Sequence, residues 1–306
     1  GEPLLAGKAF YRRVLALQKQ YNTRRLPVTN ALQTNGTLLD EEWAELFAEG
    51  QFLVGISLDG PASLHDRYRV DTAGAATHAR ALQGAEILKK RGVPYNILCV
   101  VTQQIAAAPD TVFDALAPHG YLQFIPCLDA LDGQPGEFSL QPESYGQFLV
   151  RTFDRYEDSW RSGRPVSIRA FDNWVGMLLG QPPESCGMSG RCGHYYVIEA
   201  DGSVYPCDFY VLDEWRLGNI NDASFFKMAN SPLGAEFRRL SIPLPESCRA
   251  CPYLALCRGG CRREREPFVG TAPGSNRLCA GARLFFDQRL SRLQQLAREV
   301  VDLRGN

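Results

Sequence analysis

The sequence has no apolar run approaching twenty residues, no secretory leader and, at a net charge of −1, no excess of either sign. The first two absences argue against a membrane-spanning or exported chain, and the third removes any long-range pull toward nucleic acid or anionic lipid. No internal repeat or low-complexity tract interrupts it. Histidine is sparse, and His65, His78, His119 and His194 each read individually as surface or hydrogen-bonded structural residues. What remains is a globular composition, 45% hydrophobic and 22% charged over 306 residues, enough for one large core or two ordinary ones. The default compartment is the cytoplasm, where thiols stay reduced. Ten cysteines are then too many for core filler and are unsuited to disulfides, so metal ligation leads.

Phe10, Val14, Leu17 and Tyr21 recur at helical spacing, and a strand is expected at Leu26–Leu32. Asp40 is placed to cap a helix carrying Trp43, Leu46 and Phe47, with Gly50 at its end and Phe52–Leu58 following as a buried strand. Helices near 78–91 and 110–117 precede strands at Tyr95–Thr102 and Tyr121–Cys127. Helices alternating with short apolar strands indicate parallel βα units. The four strands are too few for an eight-fold barrel and suit a partial one, with the site expected at the strand C-termini. Residues 133–165, rich in glycine and proline before a helix around Tyr145–Trp160, read as a connection out of the barrel. From Cys186 onward, cysteines, glycines and short β-like runs such as Tyr195–Ala200 mark a second region, closed by a helix with Leu290, Leu293, Leu296 and Val300. The expected division is 1–165 for the partial barrel, 166–185 for a connector, 186–285 for the cysteine-rich domain and 286–306 for the terminal helix.

Cys248-x2-Cys251-x5-Cys257-x3-Cys261 packs four thiols into a short stretch; Cys279 follows, and Cys186, Cys192 and Cys207 lie upstream. Four thiols this close are hard to explain by packing, and spacing alone leaves iron-sulfur and zinc sites both open. Arg258, Arg262 and Arg263 would offset negative charge on either. Cys99 and Cys127 fall within apolar strands and read as inert core thiols.

The run Cys192-x9-Gly202-x4-Cys207, then Cys248 to Cys261, then Cys279, resembles the seven-cysteine signature of the SPASM domain of radical S-adenosylmethionine enzymes. Upstream, Gly1-Glu2-Pro3 is similar to the end of that superfamily's Gly-Gly-Glu-Pro motif, and Gln33-Thr34-Asn35-Gly36 and Ser57-Leu58-Asp59-Gly60-Pro61 resemble its later strand-end motifs. Within it, Cys186, the run Ser203-Val204-Tyr205-Pro206-Cys207-Asp208-Phe209-Tyr210, Trp215-Arg216-Leu217-Gly218-Asn219-Ile220 and Arg258-Gly259-Gly260-Cys261-Arg262-Arg263 resemble the anaerobic sulfatase-maturating enzymes.

The resemblance implies an α/β fold: a partial (β/α)6 radical-SAM barrel lacking its first strand and cluster loop, then a SPASM domain with two auxiliary 4Fe-4S clusters. One cluster would use Cys186, Cys192, Cys207 and Cys261, the other Cys248, Cys251, Cys257 and Cys279. A third, on a Cys-x3-Cys-x2-Cys loop that cleaves S-adenosylmethionine, is expected on a segment preceding Gly1, so this stretch alone is expected to be inactive. Glu2, Asn35, Ser57, Arg69 and Leu128 are the implied S-adenosylmethionine contacts. Without the family, Glu2 is an exposed acid, Asn35 a turn former, Ser57 a strand-end residue, Arg69 a solvated arginine and Leu128 a core residue. Asp208 is the implied catalytic base; taken alone, an acid after a cysteine is more often a turn former. The implied reaction oxidises a cysteine or serine of a sulfatase polypeptide to Cα-formylglycine, with electrons exchanged through a donor such as a flavodoxin or ferredoxin. Alternatives are a thioether-forming SPASM peptide maturase and a non-catalytic zinc or iron-sulfur module.

Overall fold

The computed structural model describes residues 1–267 and 274–305, so the last residue expected in the terminal helix, Asn306, lies outside the described residues. The chain divides into two compact units, Gly1–Cys127 with Phe148–Asp172, and Leu128–Gln147 with Asn173–Asn306.

The first unit is built on a five-stranded sheet in the order β1 (Asn30–Thr34), β2 (Phe52–Ser57), β3 (Tyr95–Val101), β4 (Tyr121–Pro126) and β5 (Ser167–Ile168). Every neighbouring pair is parallel, which brings all the strand C-termini to one edge. Helix α1 (Lys8–Tyr21) precedes β1, and between the strands run α2 (Glu41–Glu49), α3 (His78–Lys90) and α4 (Pro109–Leu116). The expected βα alternation is therefore present. β1 begins later than the pattern suggested, because Pro27 has no amide hydrogen for a ladder and Leu26 and Val28 are exposed. β5 has only two residues and carries no periodicity to read.

Local chemistry explains the helices. Asp40 Oδ1 accepts the Trp43 amide at 2.8 Å, and Glu41 and Glu42 follow in the first turn, where a helix favours negative charge. The apolar face of α2 buries Ala44, Leu46 and Phe47 completely or nearly so. Tyr11 of α1 meets Trp43 and Phe47 edge-on at 5.4 and 6.3 Å, tying α1 to α2 over the sheet. Val54, Ile56, Ile97 and Val101 fill the sheet side of this core. Gly84 has a functional consequence: a Cβ there would stand 2.5 Å from the Gly36 carbonyl, so its absence lets α3 approach the turn that carries Asn35 and Gly36.

The second unit relies on short elements. A three-stranded antiparallel sheet, β6 (Val197–Ile198), β7 (Ser203–Tyr205) and β8 (Gly218–Asn219), has its central strand fully buried and delivers the chain to Cys207. The terminal helix, α7 if the helices Pro142–Arg161 and Arg169–Leu178 are α5 and α6, spans Cys279–Gly305 and so starts earlier than expected, at a cysteine. Trp174 stacks on Phe285 at 4.9 Å, and Gly281 approaches Gly146 so closely that a Cβ on Gly146 would stand 2.8 Å from the Gly281 Cα. These contacts fix the helix start and with it Cys279. Residues 128–147 also join this unit: Asp129 pairs with Arg277 at 3.0 Å, and Arg277 donates to the Leu140 carbonyl at 3.0 Å.

Candidate active site and cysteine centres

At the C-terminal edge of the sheet lies a cavity of about 580 Å3 lined by Gly1, Glu2, Thr34, Asn35 and Ser57, among others. That size suits a small cofactor. Glu2 is held there by three donors: the Thr34 hydroxyl at 2.7 Å, the Asn35 amide at 2.8 Å and the Leu4 amide at 3.0 Å. The carboxylate thus closes the end of β1 while standing on the cavity wall. Asn35 lines the cavity, with its own Oδ1 accepting the Thr37 amide and hydroxyl at 2.9 and 2.8 Å. Ser57, the buried last residue of β2, lines it from the next strand.

Arg69 is placed differently. It pairs with Asp59, whose Oδ1 also accepts the Val100 amide at 2.8 Å, and it is not among the residues lining the cavity. Asp59 belongs to the Ser57–Pro61 motif, so the motif itself supplies the arginine's partner. Beside it, buried His65 accepts the Asp59 amide at Nδ1 (3.1 Å) and bonds the Thr77 hydroxyl through Nε2 (3.1 Å). One ring nitrogen accepts and the other donates, which requires the neutral ring, and burial pushes its pKa down to about 4. Leu128, half-buried, begins the second unit.

In the second unit the eight cysteines gather as two sets. Cys248, Cys251, Cys257 and Cys279 line one cavity together with Tyr253, Leu254 and Phe286. Cys186, Cys192, Cys207 and Cys261 form the other set: Cys261 lies within the electrostatic reach of Cys186, Cys192 and Cys207. Backbone contacts aim these thiols. The Cys192 amide donates to Ser241 Oγ at 2.9 Å, the Cys261 amide to Glu264 Oε2 at 3.1 Å, and Ser185 caps the turn Cys186–Ser189. Cys99 is buried within β3, while Cys127 is half-buried just beyond β4.

Burial pushes the Cys207 and Cys261 thiols up to about 12 and Cys257 to about 11. Thiols crowded in this way cannot all ionise unless a cationic centre offsets them. A tetrahedral zinc site draws its sulfurs to about 2.3 Å from one point, whereas an iron-sulfur cluster is a body that its thiolates surround. Four cysteines spread around a cavity fit the second arrangement.

Asp208 follows Cys207 into the turn Asp208–Tyr210, is exposed, and accepts from the Cys207 thiol at 3.3 Å. A sulfur bound to metal has no proton to give, so cluster binding would free this carboxylate for another donor. Phe209 is also exposed, whereas Tyr210 is buried and donates to Glu266 at 2.8 Å. Arg262 is enclosed by Tyr210, Trp215 and Phe237, its guanidinium carbon 4.5–4.8 Å from the three ring centres. Sequence reasoning missed Tyr195, whose phenol feels Asp208, Cys207 and Cys186, and Arg265, buried near both cysteine sets. Arg265 had a signal, since it closes the Arg262–Arg265 run directly after Cys261.

Comparison with known proteins gives two family matches: the radical SAM superfamily over residues 1–112 and SPASM, an iron-sulfur cluster-binding domain, over residues 186–252. The chain is 42% identical to a cysteine-type anaerobic sulfatase-maturating enzyme of Clostridium perfringens, covering 98% of this chain and 82% of that one. It is 34% identical to a serine-type enzyme of Bacteroides thetaiotaomicron, covering 99% and 77% respectively. A solved structure of anSMEcpe with bound AdoMet and a Cp18Cys peptide superimposes with a TM-score of 0.94 at 42% identity, covering 98% of this chain and 84% of that one. Streptococcus suis SuiB bound to S-adenosylmethionine shares the fold at a TM-score of 0.57 and 15% identity, covering 87% and 62%.

Proposed function

Because the chain belongs to the anaerobic sulfatase-maturating enzymes of the radical SAM superfamily, we propose that it acts on a sulfatase polypeptide in the cytoplasm, oxidising a cysteine or serine to Cα-formylglycine, with Asp208 as the base. S-adenosylmethionine and the iron-sulfur cluster that cleaves it supply the radical that removes the Cβ hydrogen. The chain's own residues bind, orient and deprotonate. Glu2, Asn35 and Ser57 present the cofactor cavity, where the carboxylate of Glu2 can accept from an amino group with charge assistance. Arg69 reaches a cofactor only by leaving Asp59, and Leu128 is proposed to pack near the adenine. The two cysteine sets would hold two 4Fe-4S clusters able to take up the second electron of the oxidation, and a flavodoxin or ferredoxin would serve as the electron donor. No described helix is long and apolar enough to cross a membrane.

The observation that carries the assignment of the base is the position of Asp208. It is an exposed carboxylate fixed by the backbone of Cys207, in contact with that sulfur at 3.3 Å and otherwise open to an incoming thiol or hydroxyl. Asp208→Asn keeps the size and accepts no proton. Formylglycine formation by the protein carrying the Cys-x3-Cys-x2-Cys loop, followed by mass spectrometry of a sulfatase peptide, should fall roughly 10²–10⁴-fold with iron content unchanged. Wild-type yield would remove Asp208 from the mechanism, and lost iron would make its role structural.

A further inference from the structure

Arg265 is 1% exposed and heads the largest fully buried side chains in the molecule. It ends the short turn Arg262–Arg265, which Cys261 caps. Its Nη2 donates to the Ser241 carbonyl at 2.8 Å and its Nη1 to the Pro243 carbonyl at 3.1 Å. Ser241 in turn receives the Cys192 amide at its hydroxyl, and Pro243 lies in the strand of chain that enters the turn Glu246–Arg249 bearing Cys248. One side chain is thus carried by the segment of Cys261 and tied to the segments of Cys192 and Cys248. These three cysteines come from both sets. Arg262 differs: its guanidinium is enclosed by the rings of Tyr210, Trp215 and Phe237, and its charge acts on Cys192.

A buried guanidinium is costly unless negative charge surrounds it, and burial does push the Arg265 pKa down while Cys261, Cys192 and Cys248, and after them Glu264, push it back up. Arginine stays charged under such conditions. We propose that Arg265 is a positioning residue that acts as the shared counter-charge of both cysteine-bound clusters and raises the reduction potential of each. The inference rests on the two-cluster reading. Each cluster with four thiolates is anionic, and a one-electron reduction adds a further negative charge, so a fixed positive charge in a poorly screened interior favours the reduced state. Serving both clusters with a single charge keeps their potentials moving together, which suits electrons that pass from one to the other.

The test uses the chain as it stands, reconstituted anaerobically with iron and sulfide, counted for iron, and titrated with dithionite while reduced clusters are followed by electron paramagnetic resonance. A wild-type chain without iron would defeat the two-cluster reading before Arg265 is questioned. In the loaded protein, Arg265→Gln should shift both midpoint potentials to more negative values, and Arg265→Lys should leave both near wild type. Unchanged potentials in Arg265→Gln would overturn the proposal, as would a shift confined to one cluster or an equal shift in Arg265→Lys. If Arg265→Gln fails to load iron, full loading of Arg265→Lys supports the need for the charge. Failure of both would make the residue a packing element and overturn the proposal.

Discussion

The two units reach order by different means. In the first, regular helices cover a parallel sheet, and the side chains buried to completion include Phe47, Val54, Ile56, Ile97 and Val101. In the second, many elements have only two to five residues, and arginines 262, 263 and 265 are buried beside thiols. Apolar burial suffices for the first unit. A buried ionisable group of the first unit, His65, is satisfied by hydrogen bonds within the protein, whereas the second unit crowds thiols that cannot all ionise unless a metal centre offsets them. The first unit should therefore be stable without metal, and the second should not.

The largest expected effect follows from iron removal. Anaerobic chelation should sharply increase amide hydrogen exchange across 186–267 and at the start of α7, because binding free energy in thiolate sites is folding free energy. Exchange in β2 and β3 should not change. Equal loosening of both units would show that the second depends on metal no more than the first. Conversely, Phe47→Ala removes a fully buried ring from the first unit, and denaturant unfolding should show a loss of about 3–5 kcal/mol there with iron content intact.

A smaller effect concerns acid. His65 is neutral when folded, with its pKa pushed from 6.5 down to about 4 by burial. Between those values the unfolded chain binds a proton that the folded chain refuses. Stability that is fully present above pH 6.5 is lost as pH falls toward about 4, on the order of 3 kcal/mol for this group. Comparing unfolding at pH 7 and pH 4.5 for wild type and His65→Gln isolates the contribution; an identical pH dependence in both would refute it.

The contrast also explains what the sequence could reveal. Period and caps are local signals, so α2 with Asp40 and Gly50, and the strands β2 to β4, were legible to within a residue or so. Pro27 displaced β1, and two-residue β5 had no pattern to show. Residues 133–165 read as a connection, and the attachment of 128–147 to the second unit stayed hidden because what holds them is remote: Asp129 and Leu140 meet Arg277 across well over a hundred residues. Cysteine spacing announced the metal chemistry, while the ion pair of Arg69 with Asp59 and the double attachment of Arg265 exist only in three dimensions. Glu2 and Thr34 likewise meet only once β1 has formed.

The central claim is that eight cysteines of the second unit hold two iron-sulfur clusters, and direct metal and sulfide analysis tests it most simply. Anaerobic reconstitution should load about eight iron and about eight sulfide per chain. Alanine at Cys251 should reduce the second cluster while leaving the first. Stoichiometric zinc with no iron in the wild-type chain would contradict the account.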